Sequence, residues 1–147
     1  MLAIGDSMPD FVLKDQAGDS FDSKSLKGKA VVIFFYPKDY TPGCTAEACS
    51  FRDHYVEFQQ MGAEVIGVST DSVSRHHKFS NAYQLPYRLL ADTNRSIAKR
   101  FGVGSHLFGL ISQRVTFVID QQGKIILIHN DMRPASHIRK ALDTLRD

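Results

Sequence analysis

Ala30-Val31-Val32-Ile33-Phe34-Phe35-Tyr36 runs directly into Pro37-Lys38-Asp39-Tyr40-Thr41-Pro42-Gly43-Cys44-Thr45-Ala46-Glu47-Ala48-Cys49. The first seven residues are continuously apolar, β-branched or aromatic, the pattern of a strand buried on both faces of a sheet. Beyond them Ala48, Phe51, Tyr55, Phe58 and Met61 recur at three- and four-residue steps, which predicts a helix over roughly 43–60. Cys44 therefore stands at a helix N-terminus, after the turn residues Thr41-Pro42-Gly43. Unpaired backbone N–H groups and the positive end of the helix dipole favour a thiolate there, and the thiolate is the nucleophilic form of the side chain.

Working outward, the order of elements carries the fold. Phe11-Val12-Leu13-Lys14 and Ser20-Phe21-Asp22 flank Ala17-Gly18-Asp19 and predict an N-terminal hairpin. Ala63 to Ser69 reads as a second buried strand, completing a βαβ unit with the first strand and the cysteine helix. Asp71 or Ser72 can cap a helix reaching about Tyr83. Tyr87 to Leu90 is a short strand, Asn94 to Phe101 a helix, and Gly102 to Ser112 a loop. Arg114 to Asp120 and Lys124 to His129 form a hairpin around Gln121-Gln122-Gly123, and Pro134 opens a terminal helix whose N-cap falls at or near Arg133. The fold class is α/β: a mixed central sheet with helices on both faces, an N-terminal hairpin and the outline of a thioredoxin-like fold. No repeat or linker interrupts residues 1–147, so one domain is expected.

Bulk composition excludes several functions. The chain has 147 residues, 43% of them hydrophobic, and a formal charge of +2. No basic run exceeds two adjacent residues, which argues against a nucleic-acid surface. No signal-like N-terminus and no long apolar span is present, so a soluble, cytoplasmic protein away from membranes is expected.

The only two cysteines are Cys44 and Cys49. Two cysteines in a domain of this size do not make a disulfide scaffold; in a reducing compartment such a pair is more often catalytic, redox-sensing or metal-binding. A zinc site fails on ligand count, because no histidine sits at ligand spacing near the pair. Residues five apart in an intact helix have Cα atoms roughly 8–9 Å apart, whereas a disulfide needs about 4.4–6.8 Å. If the two bond, the first turns of the helix must unwind, and the fully folded form is the reduced one. His54 is placed on the helix surface. His76, His77, His106, His129 and His137 are scattered and read as surface or capping residues. Leu107, Phe108, Leu110 and Ile111 read as core or as an apolar collar.

Pro37-x-x-x-Thr41-x-x-Cys44 resembles the peroxiredoxin active-site signature. Phe35-Tyr36-Pro37-Lys38-Asp39 together with Thr41-Pro42-Gly43-Cys44-Thr45-x-Glu47-Ala48-Cys49 resembles its bacterioferritin-comigratory-protein/PrxQ branch, and Arg114-Val115-Thr116-Phe117-Val118-Ile119-Asp120 is similar to that family's arginine-bearing strand. The resemblance spans essentially the whole chain and implies a thiol-dependent peroxidase acting on hydrogen peroxide and organic hydroperoxides. It implies that Cys44 is the peroxidatic cysteine, becoming a sulfenic acid, and Cys49 the resolving cysteine, closing an intrachain disulfide that thioredoxin or a similar dithiol reduces. It further implies that Thr41 donates to the thiolate and accepts from the peroxide. Pro37 shields the pocket, and Arg114 stabilises both the thiolate and the charge developing on oxygen. Glu47 either orients Arg114 or is a first-turn glutamate suited to the helix dipole. No cofactor and no metal is implied, and with the resolving cysteine in the same chain a monomer is expected. Two rivals remain at this level. A general disulfide reductase would carry C-x-x-C and a proline ahead of the Arg114 strand, and neither is present. A non-enzymatic redox sensor would use the same residues and differ only in lacking turnover.

Overall fold

The computed structural model describes residues 2–106 and 111–147. In chain order the elements are β1 (Val12–Asp15), β2 (Ser20–Asp22), a 3-10 turn (Ser23–Leu26), β3 (Ala30–Phe35), α1 (Pro42–Asp53), α2 (Tyr55–Gln60), β4 (Ala63–Ser69), α3 (Val73–Tyr83) and β5 (Arg88–Ala91). α4 (Ser96–Arg100), β6 (Ser105–His106), β7 (Ile111–Ser112), β8 (Val115–Ile119), β9 (Ile125–Asn130) and α5 (Ala135–Arg146) follow. Seven strands form one mixed sheet in the order β2-β1-β5-β4-β3-β8-β9. β4 runs parallel to both β3 and β5, while β8 lies antiparallel to β3 on its other side. This is the thioredoxin-like architecture expected, with the N-terminal hairpin as β1 and β2.

β3 lies inside the sheet between β4 and β8, and its alternation sorts the core into two layers. Val32, Phe34 and Tyr36 pack with Cys44, Ala48 and Phe51 of α1, Phe58, Phe79 and Ile138. Val31, Ile33 and Phe35 pack on the opposite face with Phe11, Phe21, Ile97 and Phe101. Phe34 stacks on Phe51 at 4.4 Å between ring centroids, which fixes α1 against the strand that precedes it. Each fully buried aromatic contributes about 1.5–3 kcal/mol. Gly67 on β4 is needed for this layer, since a Cβ there would come within 2.8 Å of the Phe34 ring.

Four elements differ from the sequence reading. The helix expected over 43–60 is two helices meeting at His54. The half-buried His54 ring donates Nδ1–H to the Ser50 carbonyl at 2.8 Å, and the main-chain bond to that same oxygen lengthens to 3.2 Å. α4 begins at Ser96 rather than Asn94, because Arg95 is left-handed at φ 59° and the Asp92 carboxylate accepts the free N–H groups of Ile97 and Ala98. The expected loop 102–112 contains the paired strands β6 and β7. Leu107, Phe108 and Leu110 and the side chain of Ile111 lie outside the described residues, and with them the collar. α5 is capped by Pro134, one residue later than expected.

Candidate active site

The C-terminal end of β3 delivers the chain to the site, and the loop from Pro37 to Thr41 turns it into α1. Thr41 is the N-cap and Pro42 the first helical residue, a position where proline loses no hydrogen bond. Cys44 is then in the first turn, 1% exposed, with its thiol free. Two donors reach its Sγ: the Lys38 backbone N–H at 3.5 Å and Arg114 Nη2 at 3.5 Å. Both donors point at the sulfur beside the N-terminus of α1.

Arg114 arrives from just before β8, 70 residues away in sequence from Cys44. Its guanidinium is held on three sides. Nε donates to the Met132 carbonyl at 2.9 Å, Nη1 to Glu47 Oε1 at 2.6 Å, and Nη2 to Cys44. Gly43 permits this approach, since a Cβ at that position would lie 3.0 Å from Nη2. Glu47 is fully buried. Its carboxylate meets Arg114 instead of facing solvent at the helix start.

Thr41 and Pro37 flank the same loop, but the hydroxyl of Thr41 does not donate to the sulfur. It donates to the Lys38 carbonyl at 2.9 Å. A hydroxyl has one proton, so the expected dual role is corrected: Thr41 fixes the loop and keeps its lone pairs for accepting a hydrogen bond, while Lys38 N–H is the nearby donor to sulfur. Pro37 is half-buried beside them. Cys49 is also free and half-buried on the unbroken α1.

A second buried network, invisible in the sequence reading, pins this loop from behind. Asp39 Oδ1 accepts from the Tyr36 hydroxyl at 2.5 Å, and Oδ2 meets His76 Nδ1 at 2.7 Å. His76 Nε2–H donates to the Leu90 carbonyl at 3.0 Å, and Asp39 N–H donates to Asp71 Oδ2 at 2.8 Å. Burial, reinforced by Asp39, raises Tyr36 well above its ordinary value, so its hydroxyl stays a donor. His76 is completely buried and bonded to a strand carbonyl, which corrects its reading as a surface or capping residue. Next along the loop, Tyr40 is left-handed at φ 67°, a conformation that costs a non-glycine residue about 1–2 kcal/mol. Its ring is held edge-on to Phe79 at 5.1 Å and under the Arg75 guanidinium at 5.3 Å. Asp39, Asp71 and His76 bring potential metal-ligand atoms within 4.8 Å of one another. Each of those residues already has hydrogen-bond partners, as expected of a structural clasp.

His137 is also fully buried rather than a surface or capping residue, because α5 packs it against Thr116 of β8. Its Nε2–H donates to the Asp131 carbonyl at 2.6 Å, and Nδ1 pairs with the Thr116 hydroxyl at 2.7 Å. His129 remains half-buried, bonded to Ser136 at 2.7 Å. Glu47 and His137 are perturbed in opposite senses. Burial pushes Glu47 up from 4.5 to about 7 against the pull of Arg114, and burial pushes His137 down from 6.5 to about 4.

These two residues make stability depend on pH in opposite directions. The folded state binds the Glu47 proton more tightly than the unfolded chain, so that contribution is full below pH 4.5 and lost as pH rises through about 7. His137 contributes fully above pH 6.5 and loses its contribution as pH falls through about 4. Each span amounts to about 3 kcal/mol, so the two offset one another across weakly acidic pH. Urea unfolding of Glu47→Gln should show stability rising with pH across this window, and His137→Asn should show it falling. Slopes of the same sign in the two variants would refute the opposition.

Comparison with known proteins places this geometry in a family. The model of the AhpC/TSA family matches residues 4–128. The chain is 46% identical over 143 residues to chloroplastic peroxiredoxin Q of Populus jackii, covering 97% of this chain and 67% of that protein. It is 45% identical to chloroplastic peroxiredoxin Q of Sedum lineare, covering 97% of this chain and 77% of the other. Among solved structures, peroxidoxin BcpB from Mycobacterium tuberculosis superposes with a TM-score of 0.92 at 40% identity, covering 99% of this chain and 97% of that one. The bacterioferritin comigratory protein of Xanthomonas campestris, whose structural study concerns alkyl peroxide reduction, superposes with a TM-score of 0.85 at 29% identity over 92% of this chain and 90% of that one. With its cysteine at the head of α1, its buried arginine and matches of this extent, the chain belongs to the AhpC/TSA family and is a peroxiredoxin, a thiol-dependent peroxidase.

Proposed function

We propose that Cys44 is the thiolate that attacks the peroxide and that Cys49 resolves it within the same chain. The observation that carries this reading is the convergence of Lys38 N–H and Arg114 Nη2 on Cys44 Sγ at a helix N-terminus. The sulfur attacks one peroxide oxygen, the O–O bond breaks, and the second oxygen leaves as hydroxide or alkoxide. Arg114 stabilises the charge that develops on the oxygens. Thr41, its proton spent on Lys38, accepts from the peroxide hydroxyl, and Pro37 narrows access for water. Cys44 becomes a sulfenic acid. Cys49 then attacks that sulfur, water leaves, and the disulfide is returned to two thiols by exchange with an outside dithiol, for which thioredoxin is the proposed source. Hydrogen peroxide and organic hydroperoxides both fit this chemistry, and the alkyl peroxide reduction studied in the Xanthomonas relative supports the second class. A monomer suffices for this cycle, and a reducing compartment such as the cytoplasm suits it. Among the described residues no helix is long and apolar enough to cross a membrane.

Both cysteines lie on one continuous helix, so the disulfide requires α1 to open. Oxidation should lower helical circular dichroism and raise amide exchange over roughly residues 43–52, a stretch about as long as the separation of the two thiols demands. Peptide mapping of the oxidised protein decides the pairing: an intrachain Cys44–Cys49 peptide is expected, and a mainly interchain product would overturn the reading. Cys49→Ser should keep the first oxidation, lose thioredoxin-driven cycling and accumulate over-oxidised Cys44.

A further inference from the structure

Arg114 is one buried cation offered to two acids. Nη1 meets Glu47 Oε1 and Nη2 meets Cys44 Sγ. Glu47, Cys44 and Arg114 are 0%, 1% and 4% exposed. Water is therefore poorly placed to stabilise two anions around the one cation. The other carboxylate oxygen, Glu47 Oε2, is buried and among the described residues has no hydrogen-bond partner. It lies 3.6 Å from His137 Nδ1, about half an ångström beyond a hydrogen bond. His137 Nε2–H is committed to the Asp131 carbonyl, so in the neutral ring Nδ1 carries the lone pair and the Thr116 hydroxyl donates to it. An ionised Glu47 aims a bare anionic oxygen at that lone pair. A protonated Glu47 aims an O–H at it.

We propose that Glu47 temporarily holds the proton of the Cys44 thiol, accepting it on Oε2 as the thiolate forms and releasing it once the thiolate has been consumed. In the first step Cys44–SH and the Glu47 carboxylate become a thiolate and a carboxylic acid, and Arg114 is balanced by one anion throughout. In the second, the thiolate electron pair forms the S–O bond to the hydroxyl oxygen of the hydroperoxide. The O–O bond breaks, its electron pair leaves on the alkoxide, sulfur is oxidised by two electrons and the peroxide is reduced by two. In the third, the alkoxide gains the proton that Glu47 gives up, leaving alcohol, a neutral sulfenic acid and the carboxylate. Water or the incoming peroxide carries the proton between the groups.

The surroundings of Glu47 suit this exchange. Its charged and titratable neighbours are Cys44 on the same helix, Arg114 before β8, His137 on α5 and Tyr87 before β5, whose hydroxyl donates to the Ala48 carbonyl at 2.7 Å. His129 on β9 meets His137 ring to ring at 4.7 Å, and the Asp131 carboxylate is paired with Arg133. Burial holds Glu47 near 7, where proton exchange is available at neutral pH, and holds His137 near 4, so it remains a lone-pair acceptor.

The proposal rests on Cys44 being the peroxide-reacting thiol, and the test separates the two. In a Cys49→Ser background, where the sulfenic acid persists, one equivalent of peroxide is mixed with reduced protein in a weakly buffered indicator solution near neutral pH. Thiolate ultraviolet absorbance shows that Cys44 starts ionised, and peptide mass shows that the oxygen ends on Cys44. Failure of either of those readouts rejects the assignment of Cys44. Given both, proton uptake per peroxide should be close to zero with Glu47 present and close to one with Glu47→Gln. Equal counts in the two proteins overturn the proposal. Infrared difference spectra of the Glu47-containing protein should show a protonated-carboxyl band lost on oxidation, and its absence overturns the proposal even if Glu47→Gln does not fold.

Discussion

Serine at position 44 is expected to reduce peroxide consumption to the uncatalysed background, a loss on the order of 10⁴-fold or more by analogy with removal of other enzyme nucleophiles. The substitution is close to isosteric, and a serine oxygen can still accept from Lys38 N–H and Arg114 Nη2, the two donors that now reach Cys44 Sγ. Neither the stack of Phe34 on Phe51 nor the clasp on Asp39 involves the sulfur. The fold should therefore survive, which circular dichroism and the urea midpoint check directly. What serine lacks is an anion at neutral pH, and only the anion displaces the peroxide leaving group. Steady-state consumption with thioredoxin and its reductase is the measurement. Retention of most of the activity in a folded Cys44→Ser protein would remove Cys44 from the mechanism. A protein that merely sensed peroxide through the same thiol would lose its oxidation signal in this variant, but it would show no sustained turnover in the parent chain.

The parts of this site that a sequence exposes are those built from neighbours in the chain. The apolar run Ala30 to Tyr36 followed by Thr41-Pro42-Gly43 places Cys44 at a helix start by local rules alone, and the five-residue spacing to Cys49 states the conformational problem of the disulfide. Arg114 is different. Its contact with Glu47 spans 67 residues, so strand periodicity alone reads it as a solvated residue at a strand start, and only the family resemblance brings it to the sulfur. Gly43 reads as a turn residue, and its missing side chain is also what admits the guanidinium. Asp39 stands between a strand and a helix in the sequence, where aspartates ordinarily face water. Here the carboxylate is turned inward by Tyr36, the residue after β3, and by His76, 37 residues later. His76 and His137 misled for the same reason. A histidine on a helix carries no local mark of burial, because its burial depends on acceptors such as Leu90 O and Asp131 O that only the tertiary fold brings within reach.

Arg114→Ala is expected to slow the reaction of reduced protein with peroxide by roughly 10²–10³-fold, the scale for removing one aligned donor from a developing negative charge. The single variant confounds two effects. It also strips Glu47 of its only described hydrogen-bond donor, leaving a buried carboxylate whose uncompensated charge costs about 3–5 kcal/mol if it remains ionised. Pairing Arg114→Ala with Glu47→Gln removes that charge, so the rate defect of the double variant against Glu47→Gln alone isolates what the guanidinium gives to the thiolate and the transition state. Arg114→Lys in the same background should recover only part of the rate. An ammonium restores the positive charge but cannot hold the Met132 carbonyl and the position-47 side chain while also presenting a planar N–H to sulfur. Stopped-flow oxidation followed by thiolate absorbance measures this step apart from disulfide formation and reduction. An unchanged rate in Arg114→Ala/Glu47→Gln would make the arginine a packing element. Full recovery by lysine would mean that charge alone, without the planar geometry, is what the reaction uses.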